Sequence, residues 1–352
     1  MNDRAVNLLE QYEIEVLKTR KGRGAILCET SQGCLIFKEY TGNEERLAAQ
    51  NRLLVYLQQF DDIQVESIIP NKEGGLYVKD YDGVKYLLKT YAEGRECNIN
   101  DREECLESVK LLAKLHSYME FGCTESLPEK SCPLEESENP YFGKYISSPG
   151  VEYEKRNREL KKVRRYLKQR SQKTWFEICL QQNFDFFMEQ AFTLSSEWAE
   201  YEEVRDRDKS ENPIVTYCHG DYQYHNLLKT AAGWFIINFE KCVSDDPVRD
   251  LYLLMRKLLE KSNWSVDLGQ ELLETYEETR KLSALSRIDL YYRLAYPEKF
   301  WKIVNFYYNS GKSWIPGRNL EKLEKVVEQE EKKQYFLDTL FRNVSGFAVH
   351  KP

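Results

Sequence analysis

Residues 217–226 read Tyr-Cys-His-Gly-Asp-Tyr-Gln-Tyr-His-Asn, which sets His219 two positions before Asp221 and Asn226 five positions after it. Two apolar runs flank the stretch: 213–218 before it, and 234–237 after it, the second entered through Leu227, Leu228 and a turn at Gly233. Short apolar runs bounded by turn residues read as buried strands, so the chain must accommodate a strand–loop–strand unit with polar side chains on the loop. One carboxylate to orient an acceptor hydroxyl and one amide oxygen to hold a divalent cation are most of what phosphoryl transfer asks of a protein.

The spacing is that of a kinase catalytic loop, with Asp221 as base beside His219, and Asn226 as a metal ligand. In kinases the second strand leads directly to an aspartate that binds the metal bridging the phosphates. Here that position holds Asn238, in Ile237-Asn238-Phe239-Glu240. An amide oxygen coordinates Mg2+ without bringing charge, and hard cations at such sites rely on carboxylate charge as well as geometry. Glu240, two residues on and on the same side by strand alternation, is placed to supply the missing charge; a solvated loop glutamate is the other reading.

A chain of 352 residues suits two lobes with an insertion. A formal charge of −7 and a pI near 5.5 argue against a general nucleic-acid binder. The N-terminus lacks the pattern of a signal peptide and no apolar run has membrane-spanning length, so the expectation is cytoplasmic synthesis without a membrane span. Nine cysteines without a Cys-x-x-Cys pair read as reduced and mostly buried.

Residues 13–19, 25–30 and 34–40 are strand candidates separated by glycine-containing turns, followed by a helix over 43–59 and further strands near 62–69, 75–80 and 84–91. Together they predict a five- or six-stranded sheet. The first turn carries Gly22 and Gly24, where a kinase covers the phosphates with glycine backbone; an ordinary hairpin turn fits equally. Lys38 matches the strand lysine that neutralises the α and β phosphates, against the alternative of a surface lysine. Its helix partner would be Glu45, although a first-turn acid also suits the helix dipole and Gln50 occupies the more usual depth. Residues 89–96, including Tyr91, leave the sheet where an interlobe hinge offers backbone groups to an adenine.

A helix over 101–119 ends with His116, which reads as a C-terminal cap. Residues 121–150 are rich in Pro, Ser and Glu and read as a surface loop. Two apolar stripes, from Tyr153 to Leu167 and from Phe176 to Tyr201, predict a helical hairpin broken at Ser171-Gln172. Its first arm, 155–170, is densely basic: a solvated face or a docking surface. Asp250, in Asp245-Asp246-Pro247-Val248-Arg249-Asp250, lies where kinases brace the catalytic loop, or serves first-turn electrostatics. The remainder, near 266–281, 284–295, 297–309 and 319–341, is helical in pattern.

His219-Gly220-Asp221 with Asn226, Lys38 and Asp246-Pro247…Asp250-Leu251 resemble the aminoglycoside phosphotransferase and choline kinase superfamily over roughly residues 10–260. Gly22-Arg23-Gly24-Ala25, Phe37-Lys38-Glu39-Tyr40, Glu93-Gly94-Arg95-Glu96-Cys97, the run 295–302 (Ala-Tyr-Pro-Glu-Lys-Phe-Trp-Lys) and Trp314-Ile315-Pro316-Gly317 are similar to the CotS family of spore coat proteins. The resemblance implies an α+β, bilobal, protein-kinase-like fold: an antiparallel β lobe over 1–91 and a helical lobe over 92–352, with an insertion at 121–210 and the catalytic-loop region at 213–250. It further implies ATP and Mg2+ as ligands if the protein is active, and other spore coat proteins as partners in a layer assembled from the mother-cell cytoplasm. Asn238 departs from the superfamily's aspartate. Two readings follow: a coat protein that keeps the fold with impaired catalysis, or an active phosphotransferase acting on a hydroxyl of a small molecule or coat component.

Overall fold

The computed structural model describes residues 3–22, 24–121, 148–207, 215–309 and 316–342. Most of the expected loop at 121–150, together with Arg23, Trp314 and Ile315 of the motifs, lies outside them.

A 3-10 helix (Asp3–Gln11) precedes β1 (Val16–Gly22), β2 (Ala25–Thr30), β3 (Gly33–Tyr40) and α1 (Glu44–Leu57). Then come β4 (Gln64–Val65), β5 (Ile68–Ile69), β6 (Val78–Lys79), β7 (Lys85–Thr90), β8 (Arg95–Glu96), α2 (Arg102–Tyr118) and β9 (Glu120–Phe121). The helices α3 (Pro149–Gln169) and α4 (Trp175–Arg207) follow, then β10 (Val215–Cys218), β11 (Leu227–Thr230), β12 (Gly233–Ile236) and β13 (Val243–Ser244). The chain continues through α5 (Val248–Lys261), α6 (Val266–Thr279), α7 (Ala284–Ala295), α8 (Glu298–Asn309) and α9 (Pro316–Leu340). Packing groups Met1–Lys144 with Ile214–Leu254, and Tyr145–Pro213 with Met255–Pro352.

In the first unit the main sheet runs β1-β2-β3-β7-β5, with β6 also on β7, and all its pairings are antiparallel. One face is apolar: Ile26, Cys28, Leu35, Phe37, Tyr86 and Leu88 close on Leu9 from the 3-10 helix and on Tyr12 just after it. Phe37 stacks on Tyr86 at 5.3 Å. Because strand residues alternate between faces, Ile36, Lys38, Leu87 and Lys89 fall on the other side, with Lys38 opposite Leu87 and Ile36 opposite Lys89. The site is built on that second face.

The single strand expected near 62–69 is split between two sheets. β4 pairs in parallel with β12, whereas β5 joins β7, and Glu66 sits at the crossing. The packing division also differs from a boundary at residue 91. β12 on β4 and β11 on β8 bind the segment after the catalytic loop to strands of the N-terminal half, so that loop belongs to the sheet-bearing unit.

The second unit holds the hairpin as its pattern predicts, α3 and α4 meeting through Tyr153, Asn157, Leu160, Val163 and Leu167 on one arm and Phe176, Leu180, Phe184, Phe187 and Trp198 on the other, all buried. Aromatic stacking extends this core, Tyr153 on Tyr296 at 4.2 Å and Phe187 on Phe300 at 4.4 Å. Lys155, Arg158, Lys161, Lys162, Arg165, Lys168 and Arg170 are exposed, while Arg156 turns inward to Glu152 and Glu298.

Gly269 lies in α6 directly against the ring of Phe336, which is fully buried between Trp264 and Phe341. Alanine is the better helix former by about 1 kcal/mol, but the ring has nowhere to retreat and overpacking costs about 1–3 kcal/mol. Gly269→Ala is therefore expected to lower the urea midpoint; a raised midpoint would show that the helix packs more loosely than described.

Candidate active site

The catalytic-loop segment is held from beneath by Asp250, which has no exposed surface. Its Oδ2 accepts the His219 N–H at 2.5 Å and its Oδ1 accepts that of Gly220 at 2.9 Å. Both backbone groups belong to a turn that only glycine tolerates: Gly220 has φ +76°, and a Cβ there would be driven into the Lys241 carbonyl. Burial opposes the Asp250 charge, but His116, His219 and the Gly220 N–H outweigh it and hold the carboxyl below its ordinary range. Asp250 thus positions the loop and has no surface with which to touch a cofactor.

His219 is likewise buried. Its Nδ1 accepts the Asp221 N–H at 3.2 Å, so the ring proton sits on Nε2, which donates to the Ile237 carbonyl at 3.0 Å. Both nitrogens are spent on backbone. His116, expected as a helix cap, instead places Nε2 3.5 Å from Asp250 Oδ2 inside the core. Cys218 lies in the same cluster, but burial and the neighbouring carboxylates push its thiol far up. It donates to the carbonyls of Asp245 and Asp246.

Above this base runs a chain of amides with a fixed polarity. Lys38 Nζ donates to Asn238 Oδ1 at 3.1 Å, Asn238 Nδ2 to Asn226 Oδ1 at 2.8 Å, and Asn226 Nδ2 to the Asp221 carbonyl at 2.7 Å. An ammonium only donates and a carbonyl only accepts, so the two ends dictate which way each amide points. Asn238 itself sits in the left-handed region (φ 69°, ψ 53°), which asparagine enters more readily than most residues.

Glu240 follows on a short 3-10 turn, and its Oε1 accepts from Lys38 at 2.9 Å and from Lys89 at 2.7 Å. Lys89 also meets Glu66 Oε2 at 2.7 Å, while Glu66 Oε1 receives the Phe239 N–H at 3.0 Å. Burial opposes the charge on both Lys89 and Glu240. For Lys89 the two carboxylates outweigh it and hold its pKa above the lysine norm; for Glu240 the two ammonium groups bring the carboxyl down to about 2. Asp221 is engaged as well, its Oδ1 by Gln223 at 2.8 Å and its Oδ2 by Lys241 at 2.8 Å.

The expected residues Lys38, Asp221, Asn226, Asn238 and Glu240 are therefore brought together. Glu45 is not: it is exposed in the first turn of α1, and the carboxylate on Lys38 is that of Glu240. Gln50 is buried at the depth where a helix glutamate would stand. Gly22 and Ala25 pair across the first turn and Ala25 pairs with Lys38, so that turn borders the lysine. Gly24 has open space around it and φ +71°. The Tyr91 N–H, expected to face an adenine, donates to the Cys34 carbonyl at 2.9 Å.

Glu66 and Lys89 were not anticipated as site residues. Their signal was a charged side chain inside an otherwise apolar strand, which survives burial only with a partner.

A kinase-like fold implies Mg2+, which takes oxygen ligands in octahedral geometry with carboxylate charge. The donor set here does not fit it. Asn226 Oδ1 faces an N–H, Asn238 Oδ1 faces an ammonium, and Glu240 Oε1 is shared by two lysines.

Comparisons with known proteins agree with this fold. A family model described as "Spore coat putative kinase YutH" matches residues 5–340. Spore coat protein S of Bacillus subtilis is 24% identical over 338 residues, covering 92% of this chain and 89% of that protein. Among solved structures, an aminoglycoside phosphotransferase from Alicyclobacillus acidocaldarius superposes with TM-score 0.77 at 17% identity, over 96% of this chain and 95% of that one. A spectinomycin phosphotransferase, solved with ADP and spectinomycin, gives TM-score 0.61 at 15% identity, over 94% and 97%. The fold is that of the aminoglycoside phosphotransferases.

Because the folded carboxyl of Glu240 titrates near 2 against an unperturbed 4.5, its contribution is full above pH 4.5 and is lost as pH falls toward 2. Glu240→Gln should cost about 3 kcal/mol near neutrality by leaving two lysines short of charge, and should flatten the fall in urea midpoint between pH 6 and pH 3. An undiminished fall in the variant would place the acid sensitivity elsewhere.

Proposed function

The chain belongs to the YutH family of spore coat kinase-like proteins, and on that premise we propose that it is a spore coat protein keeping a phosphotransferase scaffold with impaired phosphoryl transfer. The observation that carries this reading is the double engagement of Asn238, Oδ1 on Lys38 and Nδ2 on Asn226. An aspartate there could accept from Lys38 but could not donate to Asn226. Asparagine therefore removes one metal-binding charge and also occupies a second metal-binding oxygen.

Glu240 does not restore the loss. Its charge neutralises Lys38 and Lys89, and moving it onto a cation would leave Lys89 buried beside a single carboxylate. Asp221 and its loop are braced as a working kinase would need, so the general base is present where the metal charge is short. Placement in the coat, with other coat proteins as partners, follows the name of the family and of Spore coat protein S. No helix among the described residues is long and apolar enough to cross a membrane.

Asn238→Asp tests the reading. The substitution supplies a carboxylate and frees Asn226 Oδ1 together, so Mg-ATP affinity should rise by about tenfold or more, one charge-assisted ligand being worth about 1.5–3 kcal/mol, with ATP turnover rising from baseline. Turnover of Mg-ATP by the wild-type protein at a rate typical of kinases would sink the proposal and establish an active phosphotransferase instead.

A further inference from the structure

A donor set that does not fit Mg2+ can still hold another ligand in the same place. A conventional kinase site sets one lysine against its glutamate partner, the catalytic-loop aspartate and the metal aspartate, and the metal ions offset the excess of negative charge. Here Lys38, Lys89 and Lys241 stand against Glu66, Glu240 and Asp221, so cations and carboxylates balance without any metal. Such a site attracts a divalent cation less, and repels a bare phosphate chain less, than the conventional one.

We infer that this site binds a polyphosphate chain free of divalent cation, with Lys38 and Lys241 as its cationic contacts. The inference rests on the impaired-transfer reading and names the ligand state of that site. Three features place the two lysines in this role. They flank one run of linked residues: Lys38, Asn238 and Asn226 lead to the Asp221 carbonyl, and Lys241 holds the Asp221 carboxylate. Lys38 offers three donors, of which Asn238 and Glu240 take two, and its side chain is 24% exposed. Lys241 is 66% exposed on the solvent side of its pair with Asp221, which is 26% exposed. A pair that open is weakly held, so its ammonium can exchange the carboxylate for a terminal phosphate oxygen, a charge-assisted bond of comparable geometry. Lys89, fully buried, takes no part beyond fixing Glu240.

A nucleoside triphosphate and inorganic tripolyphosphate share this chemistry. Calorimetric titration of the full chain with ATP, tripolyphosphate and adenosine, each in EDTA and in excess Mg2+, separates them. ATP is expected to bind about tenfold more tightly in EDTA than with Mg2+. Tripolyphosphate binding as well as ATP would make the phosphate chain sufficient, and ATP binding alone would make the nucleoside part of recognition. Lys241→Ala, a change at an exposed side chain, should cost about tenfold in EDTA, and Asn238→Asp should reverse the order of the two conditions. Binding of ATP only with Mg2+, no binding in any arm, or an unaltered EDTA affinity in Lys241→Ala overturns the inference. Wild-type protein that binds only Mg-ATP yet fails to turn it over overturns this inference alone, whereas wild-type turnover overturns the functional proposal beneath it.

Discussion

Lys89 has no exposed surface, and an ammonium in that position survives desolvation only if its partners are close and themselves well held. Glu66 and Glu240 supply the charge, and each is fixed from a different part of the chain. Glu66 stands where the backbone crosses from β4 to β5 and accepts the Phe239 N–H, while Glu240 lies one residue beyond Phe239. The buried lysine thus ties the main sheet to the turn that carries Asn238 and Glu240. Lys38, the amide chain and Asp221 are arranged outward from that tie.

Much of this was legible in the residues. The His-x-Asp spacing with an asparagine five positions on located the loop, strand alternation placed Lys38, and the apolar stripes of α3 and α4 gave the hairpin. What escaped was long-range pairing. Glu66 and Lys89 are 23 residues apart and lie on different strands, and no local pattern says which carboxylate a strand lysine will choose. Glu45 as the partner of Lys38 fails for the same reason, since partner selection is settled by sheet register and turn geometry. From spacing His116 reads as a helix cap and His219 as a catalytic-loop histidine, and only burial shows that they serve Asp250 and the backbone.

The amide chain shows how a one-atom change can rewire a site without disturbing its frame. Asparagine and aspartate share a shape, so the turn, the αL backbone and the neighbouring lysine remain as an aspartate would leave them. The difference lies in the direction of one hydrogen bond. A donor at Nδ2 in place of a second acceptor makes Asn226 Oδ1 a link in the amide chain. Hydrogen bonds in such a chain polarise and strengthen one another, and the aromatic contact of His219 with Phe239 at 4.5 Å packs beside it.

In protein kinases the lysine is held by a helix glutamate, and moving that helix switches the enzyme. Here α1 presents buried Gln50 toward the core, and its Arg46 Nη2 donates to the Cys242 carbonyl at 3.1 Å. The anchor of Lys38 is instead a residue of the Asn238 turn itself. The ion pair that fixes the lysine therefore does not ride on the helix that carries it in kinases, and lever and anchor are separate parts here.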